Sequence, residues 1–174
     1  GSTSEDVAKG LKDGSFGMAD ETGRIINTAI RDGVKQNMGI GESVGKKIIE
    51  LKAKYIKYSI LAEGYKLNIP VLVSVAIGTD IIHQHPEARG FAIGEGSFID
   101  FKIFCNEVSK LGHGGIVLNI GSAVVLPEVF LKALCIARNL GNKVKNFTTA
   151  NFDMIQHYRP IVNVVKRPIL SGGK

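Results

Sequence analysis

The stretch from Gly114 to Gly141, GGIVLNIGSAVVLPEVFLKALCIARNLG, narrows the choice of folds more than any other part of the chain. Ile116-Val117-Leu118 is a short apolar run of the length expected for a buried strand. Asn119-Ile120-Gly121-Ser122 interrupts it with small and polar residues. Pro127 then suits the opening of a helix, where no backbone donor is needed. Leu131, Leu134, Cys135 and Arg138 follow at helical spacing, and Gly141 can end the helix in a left-handed conformation. Strand, small-residue turn and helix make half of a parallel α/β unit. Such a turn leaves backbone N–H groups at a helix N-terminus, where phosphate or another anion binds readily. The same pattern also describes an ordinary turn with no ligand.

The rest of the chain supplies partners for this unit. Residues 5–18 mix charges with Gly10, Gly14 and Gly17 and read as a short helix and a loop. Asp20 is placed to cap a helix whose Ile25, Ile26, Ala29, Ile30 and Val34 share one face. After a break at Met38–Gly41, two further helices are predicted, at about 42–54 and 59–66. Residues 69–76, β-branched and apolar, form the best strand candidate, with Pro70 at its start. A helix carrying Phe98, Phe101, Phe104, Cys105, Val108 and Leu111 follows, with Gly94-Glu95-Gly96 as its cap. A third strand is expected near Asn146–Ala150, and Ile161–Val165 is a fourth candidate. Alternating helices and strands predict an α/β fold, with Val71–Ala76, Ile116–Leu118 and Phe147–Ala150 adjacent in a parallel sheet.

Composition sets the class. A chain of 174 residues, 44% apolar and 22% charged, suits a single α/β domain spanning 1–174. No apolar run approaches the ~20 residues of a membrane span, so no membrane partner is expected. Gly1-Ser2-Thr3-Ser4 lacks the character of a signal peptide. Cys105 and Cys135 fall on apolar helical faces without metal-type spacing, which predicts buried thiols in a reducing compartment such as the cytoplasm. The net charge is +6 with the lysines scattered, which points away from nucleic acid and toward a solvated surface or an attraction for a phosphate-bearing ligand. Ser171-Gly172-Gly173-Lys174 reads as the start of a loop, in a domain cut short or loosening at its end.

Three motifs carry a family resemblance. Ser59-Ile60-Leu61-Ala62-Glu63-Gly64-Tyr65-Lys66-Leu67-Asn68-Ile69-Pro70-Val71 leads to Thr79-Asp80; Gly121-Ser122-Ala123-Val124-Val125 forms the central turn; and Thr148-Thr149-Ala150-Asn151 follows. Across roughly residues 42–153 the chain resembles deoxyhypusine synthase. That family has a similar helix before an Ile-Pro-Val strand and a Thr-Asp loop. It also has a Gly-Gly-Gly-Val-Val turn and an Asn-Thr-Ala loop. The resemblance implies a Rossmann-like parallel sheet with helices on both faces and bound NAD. It also implies a homo-oligomer, dimer or tetramer, with sites at subunit interfaces. One position departs. The family lysine that forms an imine with the aminobutyl group of spermidine is matched here by Leu126, which has no nucleophilic nitrogen. Lys132 lies one to two helical turns further on. The resemblance is therefore to a divergent branch without the covalent step, not to an authentic deoxyhypusine synthase.

In a parallel sheet, loops at the carboxyl ends of neighbouring strands converge on a crevice. Thr79, Asn119, Gly121, Ser122, Thr149, Ala150, Asn151 and Asp153 are the residues expected to bind a cofactor there. Asp80 or Asp153 would accept from ribose hydroxyls. His83 and His85 would point the same way if extended, as metal ligands can, or one would serve as a general acid or base. Glu128, in the first turn of the central helix, would favour a cationic substrate and oppose a phosphate. With Asp80, these are the candidate catalytic residues; no resident metal is expected. Three functions follow: an NAD-dependent transferase or oxidoreductase acting on a small molecule such as an amine, a non-catalytic nucleotide-binding or assembly protein, and a metal-assisted hydrolase using His83 and His85.

Overall fold

The computed structural model describes residues 8–15 and 20–174. Among the described residues the chain is mixed α/β, mostly helical, with one two-stranded parallel sheet. It divides into two compact units, up to Ile99 and from Asp100 onward, the boundary falling inside a long helix. Of the expected leading helix and loop, residues 8–10 are helical and 11–14 form a turn; residues 5–7 and 16–18 lie outside the described residues.

The first unit is helical. Its elements are α1 (Asp20–Val34), α2 (Ile40–Glu50), α3 (Ile60–Leu67) and the first half of α4 (Gly90–Ser109), with short 3₁₀ turns at Ile56–Tyr58 and Ile81–Gln84. Ala29, Ile30, Ile40, Val44 and Ala92 form its core, packed by Ile26, Val34, Ile48, Leu61, Val73, Val75 and Ile82. Helix α1 ends where Asn37 turns left-handed at φ 59°, with Met38 N–H donating to Gly33 C=O at 3.0 Å. Asparagine tolerates that conformation because its short polar side chain offsets part of the strain. Ser59 caps α3 as its hydroxyl accepts from Ala62 N–H at 3.2 Å. Gly94-Glu95-Gly96 is not a cap: α4 starts earlier, and Gly96 lies inside it, where an added Cβ would come within 2.9 Å of the Ile40 side chain.

Residues 69–76 correct the strand assignment. They carry no strand ladder; the named strands among the described residues lie elsewhere. A strand needs a neighbour to take its backbone groups, and here helices surround the segment. Val73 and Val75 enter the helical core. The Ser97 hydroxyl accepts from Val75 N–H at 3.3 Å and donates to Val73 C=O at 3.4 Å.

The second unit contains the sheet. Strand β1 (Ile116–Ile120) leads through the crossover helix α5 (Val125–Asn139) to β2 (Thr148–Phe152). The pair is parallel, in register from Ile116 opposite Thr148 to Ile120 opposite Phe152. Phe130, Ala133, Leu134 and Ala137 of α5 pack with Val108, Val144, Phe147 and Val164. Gly141 ends α5 at φ 88°, the left-handed cap expected from the sequence. Residues Ile161–Val165 do not form a strand. A helical turn at Tyr158–Pro160 continues into a π-helical segment, Ile161–Lys166, in which Arg167 N–H reaches Val162 C=O at 2.9 Å. The expected terminal loop is instead held along β2: Thr149 N–H donates to Lys174 C=O at 2.9 Å, and Lys174 N–H to Phe147 C=O at 3.2 Å.

The cysteines also depart from expectation. Cys105 is half-buried, and burial pushes its thiol up from the ordinary range. Cys135 is exposed, one step off the α5 face that passes through Leu134 and Ala137. Among the described residues, no helix is long and apolar enough to cross a membrane.

Candidate functional site

The carboxyl edge of the two strands gathers five of the expected residues. Asn119, nearly buried at the end of β1, donates through Nδ2 to Asn151 Oδ1 at 2.7 Å and to Ser122 C=O at 2.9 Å. Asn151 Nδ2 in turn donates to Gln156 Oε1 at 2.8 Å. Gly121 follows at φ 65°, its N–H bonded to Phe152 C=O at 2.9 Å. A Cβ there would meet nothing within 4 Å, so the glycine supplies a left-handed turn over open space. Ser122 Oγ accepts from Leu126 N–H at 3.1 Å and secures the first turn of α5. Asp153 carries a weak contact from Ile155 N–H at 3.4 Å.

Two expected residues do not reach this edge. Thr149 lies inside β2 and is buried, its hydroxyl without a partner. Ala150 lies in β2 opposite Leu118. The single Asn119–Asn151 bond holds the strand ends together. Leu126 N–H is taken by Ser122, Pro127 has none and Glu128 N–H is bonded to Val124 C=O, so the natural donors to a ligand are the Ser122 O–H and the backbone N–H groups of Ala123, Val124 and Val125. Asn119→Ala would leave Asn151 Oδ1 and Ser122 C=O without their donor. A loss of about 1–3 kcal/mol is expected in urea unfolding, the sum of two lost part-buried hydrogen bonds at about 0.5–1.5 kcal/mol each.

Glu128 is not a free carboxylate. It accepts from Lys132, from Asn163 Nδ2 at 2.8 Å and faces Arg159 Nε at 3.4 Å. The Lys132 ammonium is the main cause holding its carboxyl below the usual range. Arg167 donates to Asn163 Oδ1 at 2.9 Å and completes the cluster. Two cations thus face one carboxylate beside the helix start, so the expected repulsion of a phosphate is offset. Asn163 and Arg159 were missed from the sequence; one polar residue inside Ile161–Val165 was the available signal. Because the folded carboxyl is depressed, the stabilisation from this pairing is present above the unfolded Glu range. It is lost as pH falls through the lowered value. Side-chain NMR should place the Glu128 midpoint below an ordinary glutamate, and Lys132→Met should raise it.

The remaining candidates belong to the first unit and are used in turns. Thr79 Oγ1 donates to Ala76 C=O at 2.6 Å, and Asp80 Oδ1 accepts from Ile82 N–H at 3.0 Å. His83 Nδ1 accepts from Gly78 N–H at 3.0 Å and Asp80 N–H at 3.2 Å, closing a capping box. His85 Nδ1 accepts from Glu87 N–H at 3.1 Å, which leaves Nε2 to donate to Asp20 Oδ1 at 3.3 Å. The segment is a 3₁₀ turn rather than extended, so the two rings do not share a direction by strand alternation. Asp20 is held below the usual carboxylate range by Arg24 and then His85. Among the described residues, no group of three His, Cys, Asp or Glu is placed to hold a metal ion.

Charge divides unevenly. Up to Ile99 the sequence has twelve Lys and Arg against twelve Asp and Glu; from Asp100 it has ten against four. The whole net +6 therefore resides in the second unit, with the strand-edge turn. Compared with family models, curated proteins and solved structures, the chain matches none.

Proposed function

We propose that the chain is a nucleotide-binding protein that takes NAD at the turn Asn119–Ser122. In this reading the parallel pair with its crossover helix is the nucleotide-binding unit of a Rossmann-like, deoxyhypusine synthase-like fold. The observation that carries it is the left-handed Gly121 turn, open above its Cα, running from the end of a parallel strand into a 15-residue crossover helix. Such turns admit a pyrophosphate close to backbone N–H groups, and the helix end adds ~0.3–1 kcal/mol toward an anion. The residues fit the group: small at Gly121 and Ser122, a carboxylate at Asp153 for ribose hydroxyls, and Glu128 already neutralised. NAD when bound supplies a hydride acceptor; the chain's residues orient it.

The chemistry in this reading is that of a transferase or oxidoreductase acting on a small molecule such as an amine, without a lysine imine, because Leu126 stands at the start of α5. The engaged state of His83 and His85 favours this over a metal-assisted hydrolase. A homo-oligomer in the cytoplasm completes the proposal. Calorimetry should show NAD binding that weakens at least tenfold in Ser122→Glu, where an anion replaces a small donor. Borohydride trapping with spermidine and NAD should give no adduct on the intact protein. Failure to bind any adenine nucleotide would refute the site, and a trapped adduct would refute the role given to Leu126.

A further inference from the structure

The turn between α2 and α3 repeats one arrangement twice. Lys54 Nζ lies 5.1 Å from the ring centroid of Tyr55, and Lys57 Nζ lies 4.9 Å from that of Tyr58. Backbone bonds of the i to i+3 type fix the turn: Ile56 N–H to Ala53 C=O at 3.1 Å, Tyr58 N–H to Tyr55 C=O at 3.0 Å, and Ser59 N–H to Ile56 C=O at 3.0 Å. At this pitch residues three apart share a face. Tyr55 and Tyr58 therefore leave the same face of the turn, 64% and 73% exposed, each ring with a lysine ammonium beside it. No acidic residue occurs between Glu50 and Glu63, and those two are paired with Lys47 and Lys66. Lys52, Lys54 and Lys57 form no ion pair among the described residues. The lysines of the sequence thus include a local cationic and aromatic cluster within Lys52–Tyr58.

We propose that Tyr55 and Tyr58, with Lys52, Lys54 and Lys57, form a binding platform for single-stranded nucleic acid. Exposed rings accept stacked bases of any sequence, and the lysines answer the phosphates. Three residues at ~2.0 Å rise set the two tyrosine backbone positions about 6 Å apart along the turn, wider than the ~3.4 Å step of a duplex strand. That spacing fits bases unstacked from one another. A membrane surface is the poorer match, because interfacial binding needs an amphipathic helix with a continuous apolar face. This turn has a half-buried Ile56 between two tyrosines.

The test is fluorescence anisotropy of the full chain with a labelled oligothymidylate. Binding should weaken with salt, and Lys54→Gln with Lys57→Gln should flatten the log–log slope by about 0.7 for each lysine. Tyr55→Ala and Tyr58→Ala should each weaken binding by roughly 5- to 150-fold, the range of one lost base stack. Tyr→Phe at either position should keep it. Circular dichroism unchanged from the parent chain confirms that each variant is folded. The proposal is overturned if the oligonucleotide does not bind at low salt, if both Tyr→Ala variants bind as the parent does, or if duplex competes better than single strand. Anionic vesicles displacing the oligonucleotide, with the same tyrosine dependence, would overturn it in favour of a membrane surface.

Discussion

Phe147→Ala is expected to remove roughly 3–5 kcal/mol of stability, the range for deleting a buried aromatic side chain. Phe147 is 1% exposed and stands edge-on to Phe130, with centroids 6.5 Å apart and an interplanar angle of 82°. Val144, Leu134 and Val164 close the same core. The cavity cannot collapse easily, because the Phe147 backbone is itself bridged to Gly173. Against a typical domain stability of ~5–15 kcal/mol, such a loss is a large share of the total. Phe147→Leu keeps most of the volume and should cost clearly less. Urea unfolding followed by circular dichroism measures both; a cost under about 1 kcal/mol for the alanine would mean that this core is not packed as described.

Gly41→Ala is the second large effect, and its sign runs against helix propensity. Gly41 lies within α2, where alanine in open surroundings would stabilise by ~1 kcal/mol. Here an added Cβ would fall 1.6 Å from the Val71 carbonyl oxygen, a backbone atom that cannot rotate away. Helix α2 or residues 69–76 must shift, and overpacking of this kind costs ~1–3 kcal/mol or more. A net loss of about 2 kcal/mol or more is expected. Gly94→Ala is the control, since its Cβ meets nothing within 4 Å within α4. It should be neutral or stabilising, and a Gly41→Ala chain as stable as that control would contradict the close approach.

The elements easiest to read were those whose signals are local. Gly141 after an apolar helix and the Gly121-Ser122 interruption both act within a turn of where they stand. The strand at 69–76 was misread because composition reports a preference for extended backbone, not the presence of a neighbour. Gly41 and Gly64 open room for that segment against helices instead. Ile161–Val165 failed for a related reason. Its apolar residues suit a strand, yet Asn163 is held by Glu128 and Arg167 in a helical segment. At the site, the positions Asn119, Gly121, Ser122 and Asn151 were legible from strand ends. The pairings that give them their state were not, since Asn119 to Asn151 spans 32 residues and Glu128 to Asn163 spans 35.

Nucleotide binding at the strand-edge turn is tested most directly by titrating NAD into ¹⁵N-labelled protein and following the backbone amides. The N–H groups of Ser122, Ala123 and Val124 would lie nearest a bound pyrophosphate. NAD is expected to move these resonances and that of Gly121 along one saturable curve, and to leave Gly33 and Gly45 of the first unit unmoved. Inorganic pyrophosphate should move the same resonances more weakly. A spectrum in which no amide from Asn119 to Val124 responds to millimolar NAD, or in which the responding amides all lie elsewhere, would contradict the assignment of this turn as the nucleotide site.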